Sequence, residues 1–182
     1  TMVGHVLGGA GWGYGLIIGE FNLATWYGLA PAAELWSGSV STGWVPDPPY
    51  DYTGRFNISE QSVMHVLDAV ASSGIGGRRA DVLNCSWGLD DPAGQAWETL
   101  VIDGLARAAR ITVVLAAGNH ETGTAQVGGP ASGYNSIAAA ALAGDMTVPV
   151  YGAVATFSNT GPNDYYNPKD KTTLPAARAA VD

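Results

Sequence analysis

Two short segments carry the side chains best suited to chemistry, Asn84-Cys85-Ser86-Trp87-Gly88 and Ala116-Ala117-Gly118-Asn119. Each closes an apolar run that reads as a short strand, residues 81–86 and residues 111–117. In an open α/β sheet, ligands gather outside the carboxyl ends of the strands. If these two strands are parallel neighbours, both ends lie on one face and bracket a shared crevice. Small residues there let another backbone approach closely, and a Gly before an Asn holds a side-chain amide at the lip. Such an amide can donate to an oxyanion during acyl transfer, where charge develops in the transition state. Taken alone, Gly118-Asn119 also reads as an ordinary turn after a strand.

Other reactive residue types have plainer readings. Cys85 lies within a predicted buried strand with no basic partner, so it reads as structural. His65 neighbours the buried positions of a helix without joining them, and His120 is a loop residue beside the crevice. The Asp47/Asp51 and Asp90/Asp91 pairs stand among Pro and Gly, first of all a turn signal. No C-x-x-C or H-E-x-x-H spacing is present, which argues against zinc. Gly8, Gly9, Gly11, Gly13 and Gly15 contain no G-x-G-x-x-G, and no strand precedes them, so the dinucleotide reading fails.

The elements that would position these groups alternate in type. Val3, Val6, Leu7 and Ala10 form a helical stripe with no cap before it. Residues 33–40 read as a short strand, and residues 43–57, rich in Pro and Asp, as a long loop. Asn57 and Glu60 have capping-box spacing, ahead of a helix burying Val63, Val66, Leu67 and Val70 and stopping near Gly74. A second helix runs from Gly94, with Trp97, Leu100, Val101, Leu105 and Ala108 as its apolar face. The continuous apolar run 111–117 is the pattern of a strand covered on both faces. Residues 136–142 and 153–157 are further strand candidates. This alternation predicts an α/β fold of three layers, a mainly parallel sheet flanked by helices.

Composition narrows the classes. The chain has 182 residues, 47% of them hydrophobic, enough for one sizeable core without a compositional break. Eight Lys and Arg face sixteen Asp and Glu, a net charge of -8 that makes nucleic acid and membrane surfaces poor partners. The apolar runs are too short to span a bilayer. A single cysteine excludes an intrachain disulfide.

The motifs taken in order resemble the subtilase family of serine proteases. They are Gly28-Leu29-Ala30-Pro31-Ala32-Ala33-Glu34-Leu35, Ala80-Asp81-Val82-Leu83-Asn84-Cys85-Ser86-Trp87-Gly88, and Val113-Val114-Leu115-Ala116-Ala117-Gly118-Asn119. Gly129-Pro130-Ala131-Ser132 with Asn135-Ser136-Ile137-Ala138 follows, then Ala155-Thr156-Phe157-Ser158-Asn159-Thr160-Gly161-Pro162. The resemblance implies that Asn119 is the oxyanion-hole asparagine and that Ser86, Trp87 and Gly88 pair with extended polypeptide substrate. Ala116, Ala117 and Gly118 match the wall of the primary specificity pocket.

Residues 1–182 are thus expected to form one partial peptidase domain, truncated at both ends. By the resemblance, the catalytic His lies two residues before Thr1, the Asp farther upstream, and the Ser downstream of Val181-Asp182 in flanking segments of the same domain. This chain alone is expected to be inactive. His5 lies six residues past the family's His, about 240° around a helix, so it faces elsewhere. No cofactor is expected. Calcium is common in the family, but residues 8–28 offer only Glu20 and Asn22 as side-chain oxygen ligands. Trp44, Tyr50 and Tyr52 in the long loop read either as substrate contacts or as a self-packed surface loop. Secretion is what most of the family does. A pseudoprotease or peptide-binding module is the alternative, and a small-molecule α/β enzyme lacks its phosphate loop or metal cluster.

Overall fold

The computed structural model describes residues 7–8, 28–45, 55–120, 126–143 and 152–178. Thr1, His5, Glu20, Asn22, Asp47, Tyr50, Asp51, Tyr52 and Val181-Asp182, with most of the N-terminal stripe, lie outside them. The chain divides into two compact units, Thr1–Val40 and Ser41–Asp182. In the first, the Ala30 N–H donates to the Leu7 carbonyl (2.7 Å) and the Trp36 indole to Glu34 (2.9 Å). Residues 34–40 form no strand, contrary to expectation.

The second unit starts with a strand that runs into the stretch read as a loop. β1 (Ser41–Val45) pairs antiparallel with β2 (Arg55–Ile58), so the expected long loop is a hairpin at both its ends. Trp, Val, Phe and Ile suit a pleated ladder, whereas Pro46, Pro48 and Pro49, which lack N–H groups, fall between the arms. α1 (Glu60–Asp68) is capped by Ser59, whose hydroxyl accepts from the Ser62 N–H (3.4 Å). Ser59, not Asn57, is therefore the cap, because it stands directly before the first helical residue. Val63, Leu67 and Val70 are buried as their spacing predicts, Val66 is half-buried, and a π-helical turn, Ala69–Ser73, carries the chain to Gly74.

β3 (Val82–Cys85), β4 (Thr112–Ala116) and β5 (Ile137–Ala139) form a parallel sheet in that order. Leu83, Cys85, Val113, Leu115 and Ala138 are buried on one face. They share the core with α1 and with α2 (Trp97–Ala109). On the other face Val82 and Ile137 are exposed and Val114 and Ala116 half-buried, so among the described residues the run 111–117 alternates where full cover was expected.

α2 turns a different face inward from the one its large apolar residues suggest. Leu100 is 60% exposed and Ala108 is exposed, while Thr99, Ile102 and Ala106 are buried. Thr99 is pulled in by donating its hydroxyl to Asp91 (2.7 Å), and Ile102 and Ala106 follow at helical spacing. Farther on, residues 153–157 contribute only a bridge, Leu142 to Val154. An unexpected antiparallel hairpin, β6 (Asn163–Asn167) and β7 (Thr172–Arg178), closes the described chain.

Candidate active site

Parallel pairing aligns Cys85 with Leu115, so β3 and β4 end side by side as the crevice requires. Ser86 and Gly88 are exposed and Trp87 is half-buried just past β3. Past β4, Ala116 and Gly118 are half-buried, Asn119 is exposed, and Ala117 sends its side chain into the core. The backbone groups of Ala117 are also taken up within the protein. Its N–H donates to the Ala139 carbonyl (3.0 Å) and its carbonyl accepts from Gly128 (3.2 Å).

That second bond introduces a third wall, residues 126–133. Leu89 donates its N–H to the Gly129 carbonyl (2.8 Å) in an antiparallel bridge, joining the wall to the chain beyond β3. A Cβ on Gly128 would run into the Leu89 carbonyl, so only glycine allows this approach. The wall is fastened from within by Asn163, which is fully buried. Asn163 accepts from the Val127 N–H (2.8 Å) and donates to the carbonyls of Val127 (2.7 Å) and Pro92 (3.0 Å). Asp91 sits beneath Gly129, accepting from the Gln95 and Ala96 N–H groups (2.8 and 2.9 Å) and from Thr99.

Gly118-Asn119-His120 is clasped by residues 157–159. The His120 N–H donates to the Phe157 carbonyl (2.7 Å), the Asn159 N–H donates to the Gly118 carbonyl (3.0 Å), and Asn119 and Ser158 form an antiparallel bridge. Ser158 is buried, and its hydroxyl accepts from the Ala141 N–H (3.1 Å). Gly118 has φ 104° and the Asn159 amide lies 2.5 Å from where its Cβ would be, so no other residue fits without strain. Among the described residues nothing bonds to the Asn119 side-chain amide. An exposed, uncommitted donor thus sits on a backbone held from both sides.

Among the remaining reactive types, His120 and Asp91 belong to the scaffold of this arrangement and Cys85 and His65 stand apart from it. Burial pushes the Cys85 thiol up to about 11, so it is no thiolate nucleophile. His65 is exposed on α1, and His120 faces Asn159. Both oxygens of Asp91 are occupied by protein donors, which leaves the Asp90/Asp91 pair poorly suited to calcium, and no group of three or more metal-ligating side chains occurs among the described residues. Among those residues no helix is long and apolar enough to cross a membrane. Sequence reasoning assigned no part in the site to Asn159, Asn163 or Thr99, and took Asp91 as a turn residue. Only Asp91 had a local signal, an acidic residue before Pro shortly ahead of a helix.

The chain matches the sequence profile of the subtilase family over residues 15–176. Its fold is similar to that of the solved S41 psychrophilic protease, with a TM-score of 0.50 and 23% identity over 74% of this chain. The match spans 39% of that protease. No curated protein matches the chain significantly.

Proposed function

From the premise that this chain belongs to the subtilase family, we propose that it is the core of a serine endopeptidase that hydrolyses peptide bonds by Ser-His-Asp chemistry. The proposal treats residues 1–182 as part of a single peptidase domain, with nucleophile, base and orienting carboxylate contributed from outside the chain, so that the chain alone is inactive. Ser86, Trp87 and Gly88 would pair with the extended substrate backbone, and Ala116, Ala117 and Gly118 would border the pocket for the residue before the scissile bond. Asn119 would donate to the carbonyl oxygen as it gains charge. The proposal needs no cofactor, and a site of action outside the cell follows the family's usual habit.

The observation that carries this reading is the Asn119 amide, exposed and uncommitted on a clasped backbone at the end of β4. A turn asparagine ordinarily spends its side chain on nearby backbone groups. In the full-length protein, Asn119→Leu keeps the size of the side chain and removes the donor. Turnover should fall by ~10²–10³, or about 2.7–4 kcal/mol, a figure known from a subtilisin, which is itself of this family. The Michaelis constant should barely move, because the donor matters only once charge has developed. Steady-state kinetics corrected by active-site titration reads this directly. Turnover within about threefold of wild type would refute the oxyanion role and favour a peptide-binding module that keeps the cleft.

A further inference from the structure

We propose that Asn159 is a positioning residue for the Asn119 donor, acting through the residues on either side of it; this rests on the oxyanion reading of Asn119. Before Asn119, the Asn159 N–H holds the Gly118 carbonyl (3.0 Å), and its side-chain nitrogen lies against Gly118 where a Cβ would stand. After Asn119, the Asn159 Oδ1 meets His120 Nδ1 at 2.8 Å. Asn159 therefore engages both neighbours of Asn119, Gly118 through its backbone N–H and His120 through its side chain, and leaves Asn119 itself untouched.

Where the Asn119 amide can reach depends on the backbone at residues 118–120 as well as on its own χ angles, and Asn159 holds the Gly118 carbonyl at one end of that segment and the His120 side chain at the other. A donor aimed at a developing oxyanion must be held to a fraction of an ångström, since a misplacement of about 1 Å can cost about 100-fold in rate. The bridge between Ser158 and Asn119 fixes the spacing of the two segments, but it reaches only backbone. Asn159 adds a side-chain bond to His120 and packs its amide nitrogen against Gly118. An oxygen facing Nδ1 requires that nitrogen to carry the proton, so His120 is the Nδ1–H tautomer. A planar δ-amide can lie flat on Gly118 and still accept from His120. Aspartate keeps that shape and the acceptor, and alanine keeps neither.

The experiment compares Asn159→Ala, Asn159→Asp, Asn119→Leu and the double variant Asn119→Leu/Asn159→Ala in the full-length protein. Asn159→Ala should lower turnover about 10- to 100-fold with the Michaelis constant unchanged, and Asn159→Asp should stay within about threefold of wild type. The double variant should be no slower than Asn119→Leu, because with the donor gone there is nothing left to position. Asn159→Ala turnover within about threefold of wild type, or losses that multiply in the double variant, would overturn the inference. A slow Asn119→Leu beside a normal Asn159→Ala removes only the positioning role, whereas a normal Asn119→Leu removes the oxyanion reading itself. A measurement on the unsubstituted protein stands apart from folding of the variants. Nitrogen NMR of labelled His120 should show a protonated Nδ1, and a bare Nδ1 would overturn the inference as well.

Discussion

The segment 126–133, fastened by Asn163 at the start of β6, and the turn of the β6–β7 hairpin use the same device, a short polar side chain bonded to backbone N–H groups, in opposite surroundings. Asn163 and Asp91 are 0% and 8% exposed; the bonds of Asn163 to Val127 and of Asp91 to Thr99 are buried, and the others are partly so. Asp170, at the turn of the hairpin, is exposed; it accepts from the Thr172 N–H (3.0 Å), the Thr172 hydroxyl (2.6 Å) and the Asn167 amide (2.9 Å). A buried bond that is lost leaves stranded groups that nothing else can satisfy, whereas an exposed one is replaced by water. Equal numbers of hydrogen bonds therefore carry unequal consequences. The wall is held in one geometry, while the turn is merely preferred over its alternatives.

The sharpest way to break this contrast is Asn163→Leu. Leucine keeps the branched outline and heavy-atom count of asparagine, but the Val127 N–H and carbonyl lose their partner in the interior, while the Pro92 carbonyl keeps Arg178 (3.3 Å). The expected loss is about 2–6 kcal/mol, summed from roughly 1–3 kcal/mol for each of the two stranded groups. Chemical denaturation of the chain measures it. A loss below about 1 kcal/mol would mean that water already reaches the wall.

Asp91→Ala comes next. It releases two N–H groups at the start of α2 and the Thr99 hydroxyl, and should cost about 1–3 kcal/mol. The helix N–H groups can recover some water, which is why the loss is smaller than at Asn163. Asp91→Asn keeps one acceptor oxygen and should fall between alanine and wild type. Equal losses for alanine and asparagine would show that the charge of Asp91, rather than its hydrogen bonds, holds α2.

The same contrast explains what the sequence disclosed. The strands of the parallel sheet and the stripe of α1 were legible because burial of apolar residues imposes a period, and Val63, Leu67, Val113 and Leu115 obey it. The side-by-side ends of β3 and β4 were legible from the same runs, since parallel pairing follows from the alternation of helix and strand. The inward face of α2 was not, because a buried Asp91 to Thr99 bond decided its rotation against Leu100, and a hydrogen bond across eight residues leaves no hydrophobic pattern. Asn159 and Asn163 were illegible as supports for the same reason, each bonded to a group more than thirty residues away. The β6–β7 hairpin escaped notice because Asn167, Asp170 and Thr172 specify it through local polar bonds in a segment with little apolar alternation.

The smallest expected effect belongs to Asp170. Its carboxyl is held below the ordinary aspartate value, first by the Thr172 hydroxyl and then by the Thr172 N–H. A depressed folded-state pKa means that the fold prefers the ionised form. Its contribution is therefore present above the unfolded value of about pH 3.9 and disappears as pH falls through the lower, folded value. Thermal unfolding of wild type and Asp170→Asn should differ slightly near neutral pH and converge below that range. Taking the difference between the two proteins cancels the other carboxylates, Asp164 among them, whose carboxyl is lowered first by the Ala176 N–H. The exposed turn keeps the gap well short of that for Asp91→Ala, because water accepts the proton donors that the carboxylate gives up. A gap that widens toward acid would reverse the sign of the linkage, and a gap as large as that of Asp91 would erase the distinction between wall and hairpin.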